Sequence, residues 1–161
     1  MIIIVLNFPN YVARVLGIGG LDHNGSMCIV EGGIVKSFVE LERVLRVKNL
    51  GFENTDHVET MLELMVDQPI DVIALADKHW WNKKRIWLEP LLKKLIPKAK
   101  LVVHNHHLCH HSTAFYLSPF EDAITIVIDG QGDGLSMSWS LGKRDQAMQI
   151  IGGQSSKYSL G

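Results

Sequence analysis

Six short, mostly apolar runs, at 15–19, 26–31, 34–41, 71–76, 100–103 and 123–128, fall between glycine-rich turns and two stretches of helical period. Strands that alternate with amphipathic helices bury both faces of a sheet, so the chain is restricted to a mixed α/β layer architecture. Gly32-Gly33 between two of the runs predicts a two-residue primed turn, because both positions tolerate positive φ. Val58, Met61, Leu62 and Met65 recur at i, i+3, i+4 and i+7, with Asp56 and Glu59 placed as a capping pair. A second helical pattern covers Ile86 to Leu95, and no internal repeat or linker interrupts the chain.

At 161 residues and 47% hydrophobic content the chain makes one domain or a piece of a larger one. Its formal net charge is -1, with 16 basic against 17 acidic side chains, so no global field draws nucleic acid or an anionic membrane. The basic cluster of Lys83-Lys84-Arg85, Lys93-Lys94, Lys98 and Lys100 reads as a solvated helix face rather than an RNA contact. Cys28 and Cys109 lack paired spacing and point to neither a disulfide nor a thiolate zinc site, which fits a reducing cytoplasm. The apolar start Met1 to Leu6 lacks a basic leader and a cleavage pattern, and no run reaches the ~18 apolar residues of a membrane span.

Five histidines fall between His104 and His111, and the run 123–128 leads directly into Asp129-Gly130-Gln131-Gly132-Asp133-Gly134. Residues four apart share one helix face, so either His106 with His110 or His107 with His111 can direct two imidazoles at one point. Spacing does not choose between these pairs. Asp129 could add a carboxylate from a neighbouring strand, and such a donor set leaves coordination positions open for a substrate oxygen.

Four blocks in order resemble the amino-terminal domain of the O-carbamoyltransferase family, which includes nodulation-factor, cephamycin-type and aminoglycoside carbamoyltransferases. The first is Leu16-Gly17-Ile18 with His23-Asn24-Gly25-Ser26, and the second runs from Glu40 to Lys48. The third joins His106-His107-Leu108-Cys109-His110-His111 through Ser118-Pro119-Phe120 to Asp129-Gly130-Gln131-Gly132-Asp133; the fourth is Ser155 to Gly161. Asn24 stands where the family has aspartate, His111 where it has alanine, and Leu41 and Val44 where it has Glu and Phe. On this resemblance residues 1–14, which have no recognised counterpart, are expected to form an amino-terminal extension, and 15–161 a partial domain, truncated at its carboxyl end.

The resemblance implies the first lobe of an actin, sugar-kinase and heat-shock-ATPase-like (ribonuclease-H-like) domain, a mixed sheet with an opening hairpin and flanking helices. It also implies carbamoyl transfer from carbamoyl phosphate and ATP, through a carbamoyl-adenylate, to the hydroxyl of a small-molecule acceptor. It names His106, His110 and Asp129 as ligands of a divalent metal, iron(II) first, with zinc, manganese or magnesium also suited. His107 becomes a substrate or ligand-orienting candidate. Glycine-rich turns can cradle phosphates, so Gly130, Gly132, Asp133, Gly134 and Ser26 are the phosphate and nucleotide candidates. His23 is the candidate base for the acceptor hydroxyl, and Arg43, Arg46 and Lys48 are candidates for binding substrate anions. A second lobe and a carboxyl-terminal synthase-like domain would complete the enzyme, so the chain alone is expected to be inactive. The rivals are threonylcarbamoyl transfer to tRNA and a non-catalytic metal- or nucleotide-binding fragment.

Overall fold

The structure, a computed structural model, describes residues 12–158. Most of the amino-terminal extension and the closing Ser159-Leu160-Gly161 motif lie outside them. Strands β1 (Arg14–Gly19), β2 (Ser26–Glu31) and β3 (Ile34–Glu40) form an antiparallel meander, and β4 (Val72–Leu75) and β5 (Lys100–Val103) extend it in parallel, in the order β3-β2-β1-β4-β5. This is the mixed sheet with an opening hairpin that the sequence predicts. Gly32 and Gly33 take φ of 58° and 77°, as the primed turn requires.

Alternation along the strands divides the core between two faces. Leu16, Ile18, Met27, Ile29, Ile73 and Leu75 point to the face covered by α2 (Thr55–Met65) and α3 (Lys78–Leu95), where they meet Met61, Leu62, Leu88 and Leu92. Val15, Cys28, Val30, Val72 and Ala74 point the other way and pack with Cys109 of α4 (His106–Tyr116). Cutting one of these large side chains to alanine should cost about 2–5 kcal/mol. A short helix, α1 (Leu41–Leu45), follows β3.

Two helix starts differ from the sequence reading. The N-cap of α2 is Asn54, whose side chain accepts from the His57 N–H at 3.0 Å; Asp56 lies inside the first turn, where its charge faces the helix dipole instead. Helix α3 begins at Lys78 rather than near Ile86, because Asp77 accepts from the Trp80 N–H at 3.1 Å and Trp81 is buried. Lys83 and Arg85 face solvent, and the half-buried Lys84 turns inward to the Leu21 and Phe52 carbonyls, so charged residues hide the period. No helix among the described residues is long and apolar enough to cross a membrane.

A second sheet follows α4: β6 (Asp122–Gly132), β7 (Leu135–Lys143) and β8 (Gln149–Ser155), an antiparallel meander in that order. It repeats the path of β1 to β3, a repeat of topology that leaves no trace of recurring residues. Strand β6 runs through Gly130 and Gly132, so the bend expected after Asp129 is confined to Asp133 and Gly134, with φ of 50° and 87°. Ile124, Ile126 and Ile128 form its outer row at 65–71% exposure, while Thr125, Val127 and Asp129 turn toward α4.

Helix α4 is seated on this sheet by small side chains. Ser136, Ser138, Ser140 and Gly142 alternate inward along β7, and a Cβ at Gly142 would lie 2.7 Å from the Phe115 ring. His107 and His111, both wholly buried, reach into the serine row. His107 Nε2 lies 3.1 Å from the Leu135 carbonyl, His107 Nδ1 2.6 Å from Ser138 Oγ, and His111 Nε2 2.7 Å from the same hydroxyl. His111 Nδ1 lies 2.6 Å from Thr125 Oγ1, which lies 2.9 Å from Ser140 Oγ.

The carbonyl can only accept, so His107 carries its proton on Nε2. Burial depresses the affinity of both rings for a second proton and keeps them neutral, with His111 pushed down to about 4. The protons between the rings are then fixed: Ser138 donates to His107 and accepts from His111 Nε2, and Thr125 donates to His111 Nδ1, while the Ser140 hydroxyl lies within reach of both Thr125 Oγ1 and, at 2.8 Å, Met148 Sδ. Ser138→Ala leaves two buried imidazole nitrogens unpaired and should cost about 2–4 kcal/mol by urea denaturation. Unfolded His111 binds its proton near 6.5 and the folded ring near 4, so stability is complete above about 6.5 and falls as the pH drops toward 4. The loss should reach at most roughly 3 kcal/mol, and His111→Gln should flatten that slope.

Candidate metal centre

Strand β5 delivers the chain to Asn105, whose extended backbone and side-chain oxygen cap α4 through the Leu108 N–H at 3.1 Å. The helix then turns its two histidine pairs to different neighbours. His107 and His111 face the second sheet; His106 and His110 face the cleft between the two sheets. His106 Nε2 lies 2.9 Å from His110 Nε2 and 2.9 Å from Asp129 Oδ2, and one donor atom from each of the three residues falls within 4.8 Å of the others.

The cluster is short of protons. His106 Nδ1 faces Asp77 Oδ2 at 3.3 Å, and a carboxylate only accepts, so the neutral ring carries its proton there. That leaves the Nε2 lone pair aimed at Asp129, whose buried Oδ2 lacks an aligned hydrogen bond despite the 2.9 Å contact. His110 Nε2 can donate to that lone pair at 2.9 Å, but the Asp129 oxygen still faces no proton, and a cation, either a second proton on His106 or a metal ion, would complement it. The hydrogen bond to Asp77 raises the affinity of His106 for a proton, burial opposes it, and the charges of Asp77 and Asp129 add to the rise. Burial lowers that of His110, as does the nearby His106 charge. Burial pushes the Asp77 carboxyl up, but its bonds to His106 and the Trp80 N–H outweigh that and hold it below the usual range. Imidazole nitrogens and a carboxylate suit zinc, iron(II) or manganese, and the three donors fit such an ion.

Two neighbours hold His106 in place. A Cβ on Gly132 would lie 2.3 Å from His106 Cδ2, so this glycine makes room for the ring. The Asp133 carboxylate accepts from the N–H groups of His106 at 2.7 Å, His79 at 2.7 Å and Lys78 at 3.3 Å, tying the amino ends of α3 and α4 together. Asp133 thus spends its carboxylate on backbone donors.

The cleft, of about 340 Å³, is lined by the triad, Asp77, Trp80, Cys109 and Gln131 on one side and by the β1–β2 turn on the other. From that turn His23 and Asn24, and from the start of β2 the buried Ser26, reach the lining. His23 Nδ1 lies 3.0 Å from the Asn24 amide, and its side chain is exposed. Gly130, Gly132, Asp133 and Gly134 are not among the lining residues, nor are Arg43, Arg46 and Lys48. Arg43 pairs with Glu40 and Glu42 at α1, and Arg46 ends that helix with φ of 58°. His107, a substrate candidate in the sequence, is buried with both nitrogens engaged and cannot meet substrate here. Asp77 went unnoticed in the sequence; its only signal was its position at the carboxyl end of an apolar strand.

Gly132→Ala should force the His106 ring aside, visible as a displaced imidazole NMR signal, at a cost of about 1–3 kcal/mol. Asp133→Ala removes the acceptor for three helix-end donors and should cost about 2 kcal/mol in thermal or urea unfolding, with Asp133→Asn losing less.

The uncharacterized protein sll1178 of Synechocystis sp. is 24% identical over an alignment covering 80% of this chain and 27% of its own length. The uncharacterized protein MJ1051 of Methanocaldococcus jannaschii is 26% identical, again over 80% of this chain, and 24% of its own length. The chain therefore spans about a quarter of these curated relatives. Among solved structures, the Aquifex aeolicus PPX-GPPA enzyme aligns with 90% of this chain and 52% of its own, at 12% identity and a TM-score of 0.45. The type II variant of the Aquifex aeolicus Ppx/GppA phosphatase aligns with 86% and 51%, at 15% identity and a TM-score of 0.42. The carbamoyltransferase N-terminus model matches residues 72–159, which span β4 to the end of the second sheet and contain Asp77, the histidine pair and Asp129. Over more than half its length, then, this chain belongs to the carbamoyltransferase N-terminus family.

Proposed function

We propose that this chain is the metal- and nucleotide-binding part of an O-carbamoyltransferase, which takes a carbamoyl group from carbamoyl phosphate, through a carbamoyl-adenylate, to an acceptor hydroxyl. One observation carries the reading: the His106, His110 and Asp129 donors share a single cleft with His23 of the β1–β2 turn and Ser26 at the start of β2. Held by those three residues, a divalent ion, iron(II) foremost, would act as a Lewis acid toward phosphoryl and carbamoyl oxygens. In the transfer step the acceptor oxygen bonds to the carbamoyl carbon as the bond from that carbon to the adenylate oxygen breaks. His23 takes the proton of the hydroxyl, and AMP leaves with the bonding pair. Ser26 offers a hydroxyl donor to a phosphate oxygen from the floor of the same cleft.

The activity belongs to a longer polypeptide, in keeping with the quarter of its relatives' length that the chain spans. Support comes from the outer face of the second sheet, where Ile124, Ile126 and Ile128 stand exposed beside Trp139, Leu141 and Ile151. An apolar face of that extent belongs against further protein. The basic cluster on α3 lends the tRNA rival little, since Lys93 pairs with Glu89 at 2.5 Å and Lys84 donates to the Leu21 and Phe52 carbonyls.

Calorimetry with iron(II), zinc or manganese should give one site per chain, weakened roughly tenfold or more in His106→Ala, His110→Ala and Asp129→Ala. A wild-type chain that takes up no divalent ion at micromolar concentration would overturn the metal reading. Carbamoyl transfer should be absent from the 161-residue chain and present in the longer polypeptide, where His23→Ala should slow it by about 100-fold. Ile126→Lys should reduce self-association of the 161-residue chain in sedimentation experiments without lowering its stability, because the residue is 65% exposed.

A further inference from the structure

Asp77 occupies a position that a helix cap alone does not explain. It follows β4, which places it at the carboxyl end of the sheet, and its backbone is in the left-handed region at φ 69° and ψ 84°. Few residues other than glycine adopt such angles, although aspartate and asparagine do so more readily than most. The backbone is held there from both sides, since the Ala76 N–H donates to the Ile18 carbonyl at 3.0 Å and the Asp77 carbonyl accepts from Trp81 at 3.0 Å. Backbone strain that the surroundings enforce recurs at functional sites. The two carboxylate oxygens are divided: Oδ1 accepts from the Trp80 N–H at 3.1 Å, and Oδ2 faces His106 Nδ1 at 3.3 Å.

We propose that Asp77 is a positioning residue that holds His106 in the Nδ1–H tautomer and so turns the Nε2 lone pair into the cluster with His110 and Asp129. This inference rests on the metal reading above, but the control of the ring precedes any metal. A carboxylate beside Nδ1 demands a proton there, and the opposite nitrogen is left as a donor atom for an ion. With Oδ1 committed to Trp80, only Oδ2 is free for this purpose. The other two contacts of the His106 ring are both at Nε2, where Asp129 Oδ2 at 2.9 Å competes for the proton but makes no aligned hydrogen bond, so the aligned bond at Nδ1 decides the tautomer.

The division of oxygens makes Asp77→Asn an informative variant. Asparagine tolerates the same backbone angles and keeps its carbonyl oxygen on the Trp80 N–H, which directs its NH₂ group at His106 Nδ1. That nitrogen must then accept, and the ring proton moves to Nε2, where it points at Asp129 and blocks coordination. Asp77→Gly also tolerates the angles and is an acceptable cap, but it removes the acceptor at Nδ1 and leaves the tautomer to the opposing contacts of His110 and Asp129 at Nε2. Zinc affinity should therefore fall in the order wild type, Asp77→Gly, Asp77→Asn, the last by roughly 10–100-fold. A merely structural role predicts the reverse order for the two variants, because glycine loses both side-chain contacts and asparagine keeps the cap.

The experiment pairs zinc calorimetry on the 161-residue chain with ¹⁵N shifts of the His106 ring in metal-free protein, at a pH where the ring is neutral. The expected result is Nδ1–H in wild type, a mixture in Asp77→Gly and Nε2–H in Asp77→Asn, with affinities in the stated order. An unchanged tautomer across the three proteins, or zinc affinities within twofold of one another, overturns the proposal. If wild type binds no zinc while the tautomer still follows residue 77, the metal reading fails and the control of His106 by Asp77 stands. Should Asp77→Asn not fold, Asp77→Gly decides alone: it must lose the wild-type tautomer preference.

Discussion

A buried chain of hydroxyls and imidazoles fastens α4 to the second sheet, and the geometry of the cleft depends on it. The Leu135 carbonyl fixes the proton of His107, which fixes Ser138, which fixes His111, which fixes Thr125. Such a chain has one arrangement of protons in which both rings are neutral. A helix held this way cannot slide along or roll over the serine row without stranding buried polar atoms, each of which would cost about 1–3 kcal/mol. Because Thr125 and Asp129 belong to the same inward row of β6, the bond that locates His111 also locates the carboxylate opposite His106.

The helix meets a different neighbour on each of its faces. Cys109 packs on the first sheet, and burial pushes its thiol up to about 12, so it serves as an apolar residue. His107, His111 and Phe115 enter the second sheet, and His106 with His110 is left to the cleft. Asp77 and Asp133 then work from β4 and the β6–β7 turn, one on the His106 ring and the other on its backbone N–H. Three negative or lone-pair-bearing groups, Asp77, Asp129 and His110, thus converge around one imidazole. In that arrangement a cation is the natural complement, and the glycine at 132 gives the ring its space.

Much of the fold was legible because it rests on local pattern. The primed turn at Gly32-Gly33, the buried strands and the methionine-bearing face of α2 each follow from period and turn chemistry, and each is present. The start of α3 was hidden because its first turns present charged residues to solvent and are held by Asp77 and Asp133, one of them 55 residues away from Lys78. The glycine segment after Asp129 looked like a loop, yet a strand tolerates glycine where a neighbouring ring needs the room. His107 looked available to substrate because its spacing matches that of His106; only burial distinguishes them.

What the residue order determined by itself was the alternation of strands and helices, the two i,i+4 histidine pairs and an acid at the end of an apolar run, all consequences of local periodicity. Tertiary structure decided which pair faces the cleft, that Asp133 binds helix ends, and that Asp77 stands behind His106. Those outcomes depend on which side of α4 the two sheets cover and on contacts between residues 27 to 55 positions apart. Periodicity sets which side chains share a face; only the packing of one element on another sets what that face meets.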